Sequence, residues 1–119
     1  LWIVAEPHEQ FNAWRQNQTQ TSAPPASDSQ KHGQQVFLSA PCVMCHAING
    51  TPAGSNIGPN LTHIASRNMI AAATLTNTRD HLAQWIKDSQ SVKPGNKMPQ
   101  NNFSEQDLQS LLDYLQNLK

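Results

Sequence analysis

Apolar residues recur every three or four positions from Ser29 to Lys119, whereas before Ser29 they crowd into Leu1–Trp14. Gly33, Val36, Phe37 and Ala40 follow the i, i+3, i+4, i+7 spacing of one buried face and predict a helix over Ser29–Ala40. Pro41 disfavours helix at Ala40 and so ends it. A turn of helix is expected from Thr62 to Arg67. A third helix is expected from Thr78 to Ser89, with Asn77 or Thr78 as N-cap and Leu82, Trp85 and Ile86 on one face. The last runs from Glu105 to Leu118. There Ser104 and Asp107 resemble a capping box, and Leu108, Leu111, Leu112, Leu115 and Leu118 form the apolar stripe. Gly, Pro and Asn mark loops over Asn49–Asn60 and Val92–Asn102. No strand alternation or internal repeat is visible after residue 30, so the predicted class is all-α.

The front of the chain reads differently. Leu1–Ala5 looks like a strand end and Pro7–Gln16 like a short helix or turn. The stretch from Gln18 is rich in Gln, Thr, Ser, Ala and Pro, cannot build a core, and reads as a flexible linker over residues 18–28. At 119 residues the whole suggests one small domain, in which a bound cofactor would supply core that the side chains lack. Eight acidic residues balance eight basic ones. That argues against nucleic acid or an anionic membrane as the main partner. No apolar run is long enough to span a bilayer, and Leu1–Ala5 is too short for a signal core. Without an initiator Met the chain reads as a fragment or a processed form.

The two cysteines stand in Cys42-Val43-Met44-Cys45-His46, the C-x-x-C-H signature of c-type haem attachment. Two thiols at this spacing can add across the two vinyl groups of a porphyrin, and the next residue brings an imidazole under the iron. A thioredoxin-like pair would want a βαβ context, and a zinc site would want a second pair of ligands. For the sixth ligand, Met44 cannot reach the opposite face from inside the attachment loop. Met69, in Met69-Ile70-Ala71-Ala72-Ala73, reads as core. Met98, between Pro94-Gly95-Asn96-Lys97 and Pro99, is the candidate, the alternative being a loop Met that merely fills a gap. His63 and His81 are further candidates, each read first as a surface or capping histidine.

Gly33-x-x-x-Phe37, the C-x-x-C-H run, Gly58-Pro59-Asn60-Leu61, Arg67, Lys93-Pro94-Gly95-x-Lys97-Met98-Pro99 and Leu111-x-x-Tyr114-Leu115 together resemble a class I cytochrome c over residues 29–119. The resemblance implies several helices around one covalent haem c, with His46 and Met98 as iron ligands. It implies that Gly33 and Phe37 meet Leu111 and Tyr114 where the terminal helices cross. It further implies that the Pro59 carbonyl fixes the His46 ring, that Leu61 packs on the haem, and that Arg67 neutralises a propionate. For Arg67 the alternative is an exposed helix-end charge. Trp85 is expected beside the haem.

A narrower resemblance covers Gly58–Arg67, Leu75–Thr78, Trp85-Ile86-x-Asp88 and Lys93–Gly95. It is to the cytochrome c domain fused to subunit II of caa-type haem–copper oxidases. Val4-Ala5-Glu6-Pro7-x-x-x-Phe11-x-x-Trp14 is similar to the end of that subunit's cupredoxin domain, so residues 1–17 are read as its remnant; the copper ligands themselves are absent. What this implies is single-electron transfer from a soluble donor to the copper domain of the same subunit, on the periplasmic or extracytoplasmic face, with the membrane reached only through the parent subunit. A free-standing soluble cytochrome c is the alternative. An enzyme or gas sensor with an open haem position, or a dithiol module without haem, are the readings from other classes. Finally, no Asp, Glu, Lys or Arg occurs from His32 to Ser66. A redox partner would therefore meet a largely uncharged face, with Lys93 and Lys97 at one margin.

Overall fold

A computed structural model describes residues 3–119. The first two residues of the expected strand end Leu1–Ala5 lie outside the described residues, and residues 3–7 are exposed with no strand. They lead into α1, His8–Gln18, a full helix where a short helix or turn was expected, with no buried residue.

Four more helices follow: α2 Asp28–Ser39, α3 Arg79–Lys87, α4 Ser89–Val92 and α5 Glu105–Leu115. Helix α2 starts one residue earlier than the apolar spacing suggests. The Ser27 hydroxyl accepts the Gln30 N–H while the Gln30 side chain accepts the Ser27 N–H, a reciprocal cap. Helix α3 begins after Thr78, whose hydroxyl accepts the His81 N–H. It stops short of Ser89 because the Asp88 carboxylate turns to cap Ser91 N–H and start α4. At α5 the Ser104 hydroxyl takes the Asp107 N–H, but Asp107 points to His32 instead of back to Ser104. The box there is only half closed. The helix ends at Leu115, and Leu118 is fully buried beyond it.

Helices α2 and α5 cross closely. A Cβ on Gly33 would overlap the Ser110 carbonyl and come within 2.8 Å of Tyr114 Cβ, so only glycine permits the approach. One turn on, the rings of Phe37 and Tyr114 tilt against each other at 6.3 Å, both fully buried. Leu108, Leu111, Leu112 and Leu115 complete this core with Leu82 and Ile86 of α3. Each such side chain contributes roughly 1.5–3 kcal/mol on burial. Polar clamps sit at the margins. His32 Nε2 lies 2.7 Å from Asp107, and Arg79 Nη1 reaches Asp113 at 2.8 Å and donates to Gln116 while its Nη2 donates to Gln109.

Two features depart from the sequence reading. Met69–Ile70 (β1) and Leu75–Thr76 (β2) pair antiparallel, Ile70 facing Leu75, a ladder too short to show alternation. The turn between them is left-handed, with Ala71, Ala72 and Ala73 at φ 53°, 53° and 62°. In addition, residues 20–24 lie fastened to the domain. Ser22 N–H and Oγ both donate to the Asn49 carbonyl, the Asn117 side chain reaches the Pro24 carbonyl, and His63 Nε2 meets the Gln20 carbonyl at 3.2 Å. His63 is accordingly buried, not at the surface as its polar neighbours suggested. Its cover comes from a segment 43 residues away in sequence.

Candidate haem site

The attachment run folds as a 3-10 turn, Pro41–Met44, directly after α2. The Cys45 and His46 N–H groups both donate to the Cys42 carbonyl, which sets the two thiols and the imidazole on successive steps of one tight turn. Both cysteines are free and half-buried. Burial, with Cys45 as a lesser contribution, pushes the Cys42 thiol up.

His46 is held from behind. Its Nδ1 lies 2.7 Å from the Pro59 carbonyl, which accepts the ring proton and fixes the tautomer that leaves Nε2 as the free lone pair. Gly58 packs against the same ring, where a Cβ would come within 2.8 Å of Cε1 and 2.9 Å of Nδ1. The Gly58 N–H donates to the Cys45 carbonyl at 2.6 Å, and Leu61 N–H donates to the Ala47 carbonyl at 2.8 Å. The segment Gly58–Leu61 thus lies along the attachment turn. The Arg67 guanidinium donates to the Asn60 carbonyl, and Asn77 holds the Arg67 backbone carbonyl at 2.8 Å. Arg67 is exposed; what desolvation its guanidinium meets lowers its pKa without discharging it.

Met98 sits on a loop with a brace that sequence reasoning missed. The fully buried Ser89 hydroxyl donates to the Met98 carbonyl at 2.7 Å. Gln90 spans the loop, its amide donating to the Asn96 and Met98 carbonyls and accepting the Gly95 N–H. Asn96 takes the Met98 N–H and donates back to Ser89 and Lys93. Asn two residues before Met was a local signal that could have been read as a turn; Ser89 and Gln90 gave none. Cys42, Val43, Leu61, Leu75, Trp85 and Met98 are all half-buried around the closed core. Thiols, an imidazole and a thioether are the kinds of donor that a covalent, six-coordinate haem uses, and Cys42, Cys45, His46 and Met98 are each half-buried. Of the remaining methionines, Met44 is 68 % exposed and Met69 half-buried in β1.

The family model described as cytochrome c matches residues 30–119. The chain belongs to the cytochrome c family. Its cofactor is therefore a covalently bound haem c, and electron transfer is its chemistry. Among its relatives is cytochrome c oxidase subunit 2 of Alkalihalophilus pseudofirmus, 36% identical over 118 residues, 98% of this chain but 34% of the relative. The same subunit of Bacillus sp. (strain PS3) is 34% identical over 119 residues, covering 95% of this chain and 33% of that protein. Cytochrome c-551 of Stutzerimonas stutzeri is 32% identical over 88 residues, 73% of this chain and 77% of that protein. The cytochrome chain thus spans about a third of the length of its oxidase relatives. No helix among the described residues is long and apolar enough to cross a membrane.

Proposed function

We propose that this cytochrome c chain is the electron-entry domain of a haem–copper terminal oxidase, taking electrons from a soluble donor and delivering them to the copper centre of the same subunit. The observation that carries this is coverage. Oxidase subunits align with 93–98% of the chain, including the stretch ahead of α2, whereas the c-551 relative aligns with 73%. A free-standing carrier has no use for α1, which buries no residue. The parent subunit would hold the domain at the extracytoplasmic face of the membrane.

When bound, haem c supplies a one-electron iron couple. Cys42 and Cys45 would hold it by two thioethers. His46 would present Nε2 to the iron, its Nδ1–H given to the Pro59 carbonyl at 2.7 Å, which raises the basicity of the ligating nitrogen. Met98 would present its thioether from the Ser89–Gln90–Asn96 brace, and His/Met ligation lifts the reduction potential. Leu61 and Trp85 would exclude water from the ring, and Arg67 would face a propionate.

Two measurements test the reading. Met98→Ala should open the iron to carbon monoxide and imidazole; if Met69→Ala does so instead, the ligand is the other sulfur. In the whole oxidase, rapid mixing with reduced donor should reduce the haem c band before the copper band. Copper reduction that precedes haem c reduction would sink the proposed route.

A further inference from the structure

Residues 19–27 join α1 to α2 and have too few apolar groups for a core of their own, yet they lie bonded across the loop that follows His46. The Ser22 N–H and hydroxyl both donate to the Asn49 carbonyl at 3.1 Å. Thr21 packs on Gly50, where a Cβ would come within 3.0 Å of Thr21 Cβ. The Gln20 carbonyl meets His63 Nε2 at 3.2 Å, while the buried Nδ1 of the same ring has no partner among the described residues. Lifting this strap would leave a buried imidazole with no bond at all, and that penalty keeps the strap down. Asn49 passes the attachment on. Its N–H donates to the Thr62 hydroxyl at 2.8 Å, and its side-chain oxygen accepts the Asn60 amide at 3.2 Å. Asn60 Oδ1 in turn accepts the Thr62 N–H at 2.9 Å and the Thr62 hydroxyl. Asn60 follows Pro59, whose carbonyl takes the His46 Nδ1–H at 2.7 Å. Pro59 and Asn60 are both exposed, so these bonds hold the carbonyl more than packing does. The strap, Asn49, Asn60 and Pro59 thus form a continuous series that ends on the imidazole.

We infer that Ser22 and Asn49 are positioning residues for His46, and that through them the strap ahead of the haem domain lowers the reduction potential of the haem. The inference rests on the His46 ligation and electron transfer proposed above and adds a control on the same site. An imidazole that shares its Nδ1 proton with a carbonyl is a more basic ligand. A more basic ligand favours ferric over ferrous iron, so a firm bond to Pro59 keeps the potential down. With the strap released, Asn49 loses both donors to its carbonyl, the loop carrying Asn60 gains freedom, and the bond from His46 to Pro59 lengthens on average. The potential then rises. The haem is accordingly the stronger electron donor while residues 20–24 are docked, and the better acceptor when the chain ahead of α2 draws them away. Asn49 is the junction because its N–H, its carbonyl and its side-chain oxygen each bond a different residue.

The test is a spectroelectrochemical titration of the haem-loaded full chain against a mediator of fixed potential. Ser22→Pro removes both donors to the Asn49 carbonyl. It should shift the equilibrium about threefold toward reduced haem, a rise of about 30 mV at roughly 59 mV per tenfold. Asn49→Ala should shift it in the same direction, and the double variant should go no further than the larger single one, because both act through one junction. Ser22→Thr keeps both donors and should keep the wild-type potential, as should Gln10→Ala, an exposed position on α1. In the reduced protein the His46 Nδ1–H signal should exchange with solvent about tenfold faster in Ser22→Pro than in wild type. If Ser22→Pro yields no folded haem protein, Asn49→Ala decides by the same shift. A potential that stays put while denaturant stability falls makes the strap merely structural and overturns the inference, as does a potential that falls. A variant that binds carbon monoxide has lost the Met98 bond, and a shift of that origin also overturns it. Wild-type protein that gives no reversible one-electron titration overturns the electron-transfer reading itself, not the strap alone.

Discussion

The α2–α5 crossing and the stretch from Cys42 to Met98 are built on opposite plans. At the crossing, side chains close on one another: Phe37, Leu111, Leu112 and Tyr114 expose 2% or less. Between Cys42 and Met98, Ile48, Leu82 and Ile86 are buried but Val43, Leu61, Leu75, Trp85 and Met98 stay half-buried, and the backbone is kept in place by brackets such as Pro59 on His46 and Gln90 on the Met98 loop. The first region is a finished core. The second keeps apolar groups half-buried, which a covalently bound haem would cover. A chain of this size cannot complete a core everywhere from its own side chains, so it completes one crossing and leaves the cofactor to finish the rest.

That contrast can be broken most severely by removing the covalent tether. Cys42→Ser/Cys45→Ser should yield protein without bound haem and without a cooperative thermal transition, because ligand binding that stabilises only the native state is lost. Helical circular dichroism should survive in part, reporting α2 and α5; a sharp, near-native melt would show that the half-buried region closes without haem. The finished core is tested by Gly33→Val with haem in place. Overlap with the Ser110 carbonyl should cost about 3 kcal/mol in denaturant unfolding, in the range of overpacked cores.

The N-terminal segment sharpens the comparison. Removing residues 1–18 should cost less than about 0.5 kcal/mol, since α1 buries nothing. Removing residues 1–26 as well should cost about 1–2 kcal/mol, as the bonds from Ser22 and to the Gln20 carbonyl go and His63 is uncovered. Equal losses for the two deletions would show that the fastened stretch does no more than α1. The smallest effect is electrostatic. The Ser29 hydroxyl, and then Arg79, hold the Asp113 carboxyl below its ordinary value. A carboxyl depressed on folding contributes stability above its unfolded pKa, and that stability is lost as pH falls through the lower folded value. Melting temperature should therefore drop below about pH 4, and Asp113→Asn should flatten that part of the profile. An unchanged profile would assign the acid loss to other groups.

The outcome at individual residues shows what could be read in advance. The C-x-x-C-H run, the caps at Thr78 and Ser104, the stripe from Leu108 to Leu118 and the turn around Met98 are local patterns, each spanning a few residues or one helical period. Local dihedral preference and side-chain spacing write them directly into the order of residues, so they determined the all-α class, the haem and its covalent anchors. The buried state of His63, the fastening of residues 20–24, the β1–β2 pair, and the brace from Ser89 and Gln90 to Met98 were decided by the tertiary structure. In the first two of these a hydrogen bond joins groups well separated in sequence, as Ser22 reaches Asn49 and His63 reaches Gln20. Such a bond forms only after the chain has folded back on itself, and no spacing along the sequence records which distant carbonyl will be the acceptor.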